Sequence, residues 1–319
     1  MNDMSALLCN CDEEIRNGYT ISKEMKAVWN IQLTMLQKLI EVCKKHNIKI
    51  FAAGGSMLGA IRHKGYIPWD DDIDIDMLRP DYDKLVSIAQ EEFTAPFFFQ
   101  TAYSDKGYYR GHAQIRYDGT TEILNGELDC KFHQGIFIDV FVMDGVPMDE
   151  KDKENTIIET QKIIKYLWIR KYPRRRIIPI DFIKQYINMG KKRNYSDIKL
   201  YTEFENLLRK NKISDSEYIA PLSFDPNNKR FYRKKEWYQD VIYLPFEKIE
   251  IPVSKDYDKI LRKQYGPNYM TPVQAPSMHG GTIISSTIPY TQILNEKREN
   301  IILFIINKVL NKIKRIYVK

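Results

Sequence analysis

Apolar and polar positions along this chain follow two periods, and the switches between them mark the elements. Over 22–46 the residues Met25, Val28, Trp29, Leu36, Leu39, Ile40 and Cys43 recur at helical spacing. This predicts one long amphipathic helix, capped by Ser22. Residues 1–20 carry no regular period and read as irregular. A short strand is expected over 48–53, a short helix over 56–63 and a strand over 72–78. Pro80 opens a further helix to about residue 92, because proline suits the first turn. Strands follow near 97–100 and 112–117, and 136–143 (Ile-Phe-Ile-Asp-Val-Phe-Val-Met) is a strongly apolar strand. From about 149 to 235 the pattern is helical and basic, broken by Pro173, Pro179, Pro221 and Pro226. Strand character returns over 244–253. A helix is expected over 256–265, ended by Gly266 and Pro267, and 291–319 reads as a basic helical tail. No internal repeat interrupts this order. The expected class is mixed α/β with a helical insertion.

One strand in that series breaks the usual rules. Asp70, Asp72, Asp74 and Asp76 alternate with Ile73, Ile75 and Met77, so strand geometry would place four carboxylates on one face. Aspartate is a poor strand former and like charges side by side repel. A bound cation relieves that repulsion, and hard carboxylate oxygens suit Mg²⁺ or Mn²⁺. An EF-hand loop starting at Asp70 is excluded, because its glycine position holds Ile75 and its bidentate glutamate position holds Asp81. Just upstream, Gly54-Gly55-Ser56 is a small-residue turn whose backbone N–H groups can receive an anion. Asp139 is a third acidic position, set inside the apolar strand. Burying it unpaired would cost several kcal/mol, so it accepts backbone N–H bonds, pairs with an arginine, or joins Asp72 and Asp74 around a cation. Carboxylates from two strands around divalent metal suit displacement at phosphorus, with one of them able to take a proton from an incoming hydroxyl.

Composition narrows the partners. The chain has 319 residues and 43% apolar content, enough for a substantial core. A net charge of +7 favours anionic partners: nucleotides, phosphorylated glycans, acidic membrane surfaces or nucleic acid. No helix-turn-helix, RNP-like or zinc pattern supports the last, and no nucleic-acid partner is expected. The four cysteines (Cys9, Cys11, Cys43, Cys130) lack zinc-ligand spacing and read as thiols in a reducing compartment. The N-terminus shows neither a basic n-region nor a long apolar run, and Leu8 before Cys9 does not suit lipoprotein processing. No stretch has membrane-spanning length. A cytoplasmic location is expected.

The stretch from Ala53 to Tyr82 resembles the signature of the LicD family of phosphotransferases, which includes the fukutin-like proteins. The matching residues are Gly54-Gly55-Ser56-Met57-Leu58-Gly59-Ala60-Ile61-Arg62-His63-Lys64-Gly65, then Ile67-Pro68-Trp69-Asp70-Asp71-Asp72-Ile73-Asp74, then Arg79-Pro80-Asp81-Tyr82. Two later blocks agree in order: Gly135 to Phe141 with Asp144-Gly145, and Leu244-Pro245-Phe246-Glu247 through Tyr265-Gly266-Pro267-Asn268-Tyr269-Met270. The resemblance implies a nucleotidyltransferase fold of the DNA polymerase β type. Its core would lie at about 20–150 and 236–285 within a catalytic domain over 20–290, with a helical insertion over 151–235 and the tail over 291–319. It also implies transfer of phosphocholine, or a related phospho-alcohol, from a CDP-linked donor such as CDP-choline to a cell-surface glycan, with CMP released. Carried over, Gly55 and Ser56 form the turn, Asp72 and Asp74 the acid pair, and Asp139 the third acid. The family's histidine segment corresponds here to Met278-His279-Gly280-Gly281, which has fewer histidines than the pattern.

Further candidates follow from position. Arg62 and Lys64 lie just after the turn and suit donor phosphates, Arg62 best because its fork matches phosphate oxygens. Gly54 joins Gly55 and Ser56 in the phosphate set. His63 reads as structural. Asp70, Trp69, Tyr66 and His279 are candidate substrate contacts. Tyr66, Trp69, Trp237, Tyr265 and Tyr269 are candidates for a choline cage, since aromatic faces attract quaternary ammonium. Arg174-Arg175-Arg176 suits an anionic acceptor, a membrane, or simply solvent. The tail carries Ile302, Ile306, Val309, Ile313 and Ile316 on one face and Lys308, Lys312, Arg315 and Lys319 on another. Docking on the domain and peripheral contact with an anionic inner membrane leaflet are both open, and the second would suit a lipid-linked acceptor. A DxD glycosyltransferase using a nucleotide sugar, and a nucleic-acid-directed enzyme of the same fold, remain the rival functions.

Overall fold

The computed structural model describes residue 8 and residues 10–171, 179–274 and 281–297. The chain opens with a hairpin, β1 (Glu14–Arg16) and β2 (Tyr19–Ile21), turned at Asn17-Gly18 with both φ angles positive. The expectation of irregular structure over 1–20 is thus corrected: Asn-Gly between short extended runs is a hairpin turn signal. α1 (Lys23–Lys45) follows, and the Ser22 hydroxyl accepts from the Met25 N–H as expected. Its apolar face, including Trp29, Leu33, Leu36 and Leu39, is completely buried.

A mixed sheet lies beneath α1. β3 (Phe51–Ala52) pairs antiparallel with β4 (Asp74–Leu78), and α2 (Gly54–His63) lies between them in the chain. β4 pairs in parallel with β8 (Phe137–Gly145), after α3 (Arg79–Glu92), β5 (Phe97–Gln100), β6 (Ala113–Tyr117) and β7 (Thr121–Ile123). On its other side β8 meets β6 over its first half and β9 (Tyr218–Ala220) at its end. β10 (Arg233–Lys234) completes that edge, and β5 pairs β6. β8 is therefore the hub of the sheet. Its apolar sequence follows, because both its faces and both its edges are covered.

The insertion consists of α4 (Glu150–Lys171), α5 (Pro179–Asn188) and α6 (Asp197–Arg209). Ile163, Tyr166 and Leu167 of α4 pack on Leu200, Tyr201, Phe204 and Leu208 of α6 to form a second apolar cluster. A buried ion-pair network fastens it to the sheet. Arg79 donates to both oxygens of Asp144 at 2.7 and 2.8 Å and to Glu205 at 3.3 Å. The expected single strand over 244–253 is a hairpin, β11 (Val241–Phe246) and β12 (Ile249–Ser254). It turns at Glu247, whose φ is +53°, and whose carboxylate binds Arg16 at 2.7 Å. A Cβ on Gly65 would meet that carboxylate at 2.2 Å, so a larger residue there would have to displace it. α7 (Tyr257–Tyr265) ends at Gly266 as expected. β13 (Ile283–Ser285) pairs with β7, and a helical stretch begins at Tyr290 with Leu294 buried. The rest of the expected tail, Arg174-Arg175-Arg176 and His279 lie outside the described residues. Among the described residues no helix is long and apolar enough to cross a membrane.

Candidate active site

The acidic segment does not form the single row that strand alternation suggests. β4 begins only at Asp74, and Asp70, Asp71 and Asp72 precede it in a loop. The reason lies in α1. Trp29 Nε1 donates to the Asp70 carbonyl at 3.2 Å and Gln32 Nε2 to the Asp71 carbonyl at 2.8 Å. These bonds satisfy the loop backbone without a strand partner. Carboxylate oxygens of Asp70, Asp71 and Asp72 gather within 4.8 Å of one another. Asp76, although on β4, is buried against Arg233 Nη1 at 3.0 Å and the Tyr238 hydroxyl at 2.8 Å, and so is committed to the core.

Asp74 and Asp139 are direct partners in the parallel register of β4 and β8, at the spacing of neighbouring strands, about 5 Å. The Asp139 N–H donates to the Ile73 carbonyl at 2.9 Å, which ties the third acid to the loop. On the other side stands the N-terminus of α2. The helix begins at Gly54, two residues earlier than its periodicity predicts, so the glycines form its first turn. The Ser56 hydroxyl accepts the Asp74 N–H at 2.9 Å, and the Ala53 N–H donates to the Asp74 carbonyl at 2.9 Å. A Cβ on Gly54 would lie 3.1 Å from Asp74 Oδ2, and one on Gly55 would lie 2.3 Å from Asp70 Oδ2. Both glycines thus let the helix end approach the carboxylates closely.

The charges respond to this crowding. Burial and the neighbouring carboxylates of Asp72, Asp139 and Asp70 push Asp74 well above the usual carboxylate range. Asp139 moves the other way. Burial opposes its charge, but His112 and Gln114 more than offset this and hold it below the usual range. His112 Nε2 lies 3.1 Å from Asp139 Oδ1, and Gln114 Nε2 donates to the same oxygen at 2.7 Å. The Gln114 amide is oriented in turn by Arg116, whose Nη2 donates to its Oε1 at 2.5 Å. Arg116 is completely buried and also donates to Gln100 Oε1 at 2.8 Å and to the Gly135 carbonyl at 2.7 Å.

Sequence reasoning missed His112, Gln114 and Arg116 as supports of Asp139. Their signal was polar alternation through an otherwise buried strand, where each side chain needs a partner. It also missed Gln264 and Arg233, which lead from Asp76 to the site: Arg233 donates to Gln264 Oε1, and Gln264 donates to the Tyr265 hydroxyl at 3.3 Å. Tyr265, one of the cage candidates, does reach the acids. Its hydroxyl would lie 3.8 Å from a Cβ on Gly54, and burial together with Asp74 and Asp70 raises its pKa.

Other expected residues are placed elsewhere. Arg62 and Lys64 lie at the opposite end of α2, roughly 15 Å along a ten-residue helix from the glycines. Arg62 Nη1 donates to the Tyr269 and Thr271 carbonyls at 2.9 and 3.3 Å, and Lys64 is the C-terminal cap with φ +54°. His63 is pushed down to about 4 by burial and by Arg62 beside it. Tyr66 is core: it stacks on Trp29 with ring centroids 4.3 Å apart, and its hydroxyl donates to Gln32 at 3.0 Å. It is therefore withdrawn as a substrate contact and as a cage wall. Trp69 packs edge-on to Tyr19 at 6.2 Å, and the Tyr269 hydroxyl is occupied by Asp258 at 2.7 Å.

Residues 47–190 match the nucleotidyltransferase domain described as LicD/FKTN/FKRP, which spans the acid loop, β4, β8 and the first insertion helices. The lipopolysaccharide cholinephosphotransferase LicD of Haemophilus influenzae is 29% identical over 246 residues, covering 75% of this chain and 88% of its own length. An uncharacterised protein of Rickettsia prowazekii is 41% identical over 70 residues, 22% of this chain and 25% of its own. One from Rickettsia typhi is 44% identical over 63 residues, 20% and 19%. The acid loop, the glycine-started helix and the paired strand acids all lie within residues 47–190, the segment that carries the LicD-type domain.

Proposed function

We propose that this chain is a metal-dependent transferase that moves phosphocholine from CDP-choline to a hydroxyl of a cell-envelope glycan and releases CMP. The observation that carries the reading is the in-register pair Asp74–Asp139 beside the Asp70–Asp72 cluster, at the start of α2. The transferred group and the acceptor class come from the Haemophilus relative, which is named for phosphocholine transfer to lipopolysaccharide.

The donor set fits Mg²⁺ or Mn²⁺. Asp72, Asp74 and Asp139 would hold the ion, with Asp70 at the margin; all are hard oxygen ligands. Their mutual repulsion, expressed in the raised pKa of Asp74, is what a divalent cation removes. Bound there, the ion would supply charge stabilisation on the phosphoryl and leaving oxygens. The chain's own groups do the rest. Backbone N–H groups in the first turn of α2, freed of side chains at Gly54 and Gly55, meet the donor pyrophosphate. The acceptor oxygen bonds to the phosphorus that carries choline, and the anhydride bond to CMP breaks, its electron pair leaving with CMP. Asp139, kept ionised by His112 and Gln114, takes the acceptor proton and passes it to solvent.

Release of CMP from CDP-choline tests this reading, with UDP- and GDP-sugars as controls. EDTA, Asp72→Ala and Asp139→Asn should each lower the rate by at least about 100-fold, the usual cost of losing a charge-stabilising group at the reacting centre. Undiminished turnover in EDTA, or faster turnover of a nucleotide sugar, would overturn it.

A further inference from the structure

On the insertion, α4, α6 and the loop over 222–226 line an open cleft of about 470 Å³. Its wall includes the rings of Trp168, Phe204 and Phe224, with Ser223, Gln161 and Lys165 as polar members. The cleft is one ring layer from the third acid. Phe224 lies 5.0 Å from Phe141 of β8 and 6.5 Å from His112, and His112 Nε2 bonds Asp139. The backbone beside His112 presses on the same wall: a Cβ on Gly111 would meet Ser223 at 2.9 Å and Phe204 at 3.2 Å. Two inaccessible polar atoms here have no hydrogen-bond partner among the described residues, Ser223 Oγ and His112 Nδ1.

We infer that this cleft is the acceptor subsite, and that it takes one or two sugar units of the glycan, one ring stacked on Trp168. The inference rests on the transferase reading above. Its volume falls in the range of small-molecule sites, and its mix of aromatic faces with a few hydroxyl and amide groups is the chemistry that recognises a sugar's apolar face and hydroxyl edge. The donor's choline is the less suitable occupant, because the Lys165 ammonium belongs to the same lining and repels a quaternary ammonium. The walls come from insertion helices, apart from the strands that carry the acids, so donor chemistry and acceptor choice are divided between two parts of the chain.

Trp168 provides a direct readout that needs no donor. Deacylated envelope oligosaccharide from the source organism should quench tryptophan fluorescence of the full chain, and Trp168→Phe should abolish most of that quenching. Phe224→Ala and Ser223→Ala should raise the acceptor KM by about tenfold while leaving the CDP-choline KM unchanged. No quenching in the unaltered chain, equal quenching in Trp168→Phe, or a rise in the CDP-choline KM in place of the acceptor KM would overturn the proposal. Failure of the transferase reading looks different: CDP-choline hydrolysis is then missing from the unaltered chain, whatever the oligosaccharide does.

Discussion

An alanine at position 55 separates folding from chemistry at the scale of one residue. Gly55 has ordinary helical φ, so alanine gains helix propensity there, up to about 1 kcal/mol. Its Cβ, however, would stand 2.3 Å from Asp70 Oδ2, and the carboxylate must swing aside. Gly55→Ala should therefore melt at the same temperature or slightly higher, yet turn over CDP-choline at least about tenfold more slowly. A parallel fall in melting temperature and rate would mean that the glycine serves packing alone. At Asp74 the electrostatics give a pH signature. Its folded pKa is raised, so its ionised form destabilises the fold; stability recovers as pH falls through the folded pKa towards the ordinary value of 3.8. Mg²⁺ competes with that proton. Added Mg²⁺ should raise the melting temperature more at pH 8 than at pH 5, and Asp74→Asn should remove most of the difference. A Mg²⁺ response that is flat with pH, or retained in the Asn variant, would count against Asp74 as a ligand.

At the scale of elements, much was legible, and the failures around the acids share a cause. The helix capped by Ser22, the strand over 97–100 and the helix opened by Pro80 follow from local rules, and the structure has them where those rules put them. The acids of the candidate site were legible because their residue types are costly without a role. The start of β4 was not. Whether Asp72 is strand or loop depends on Trp29 and Gln32, some forty residues upstream, reaching its neighbours' carbonyls. The supports of Asp139 were hidden for the same reason: Gln114 lies on β6 and His112 just before it, and only pairing of β6 with β8 brings them to it. The hairpin at Asn17-Gly18 was readable and was passed over. Between elements, the Arg79–Asp144–Glu205 network gives a stability test. Arg79→Met leaves the buried Asp144 without its ion-pair partner, while Glu205 keeps Arg209 and the Tyr103 hydroxyl, and should cost about 3–5 kcal/mol in urea unfolding. A double variant, Arg79→Met with Asp144→Leu, should recover part of that loss; no recovery would mean that packing of the arginine stem dominates.

For the whole molecule, the return of β13 to β7 decides where the fold ends. The Tyr290 N–H donates to the Thr120 carbonyl at 2.9 Å and the Thr121 hydroxyl to the Ile288 carbonyl at 2.6 Å, so the segment over 281–297 is fastened to β7 in a separate two-stranded sheet. Ending the chain after Lys297 should leave the melting temperature within about 2 °C, whereas ending it after Val273 should lower it by about 4 °C or more, the shift that roughly 1–2 kcal/mol produces in a chain of this size. The same truncation after Lys297 tests the tail: unchanged sedimentation with anionic liposomes excludes it as an anchor, and a large loss of stability would show it docked. The hub strand β8 carries a further consequence. Asp139 near its start pairs with Asp74 in the candidate site, and Asp144 near its end holds Arg79, which also binds Glu205 of the insertion, so one strand carries both acids. The insertion is thus a replaceable module with a fixed plug: a chimera could exchange α4 to α6 for those of a relative and keep the reaction centre in register, provided the graft brings its own carboxylate to the place of Glu205.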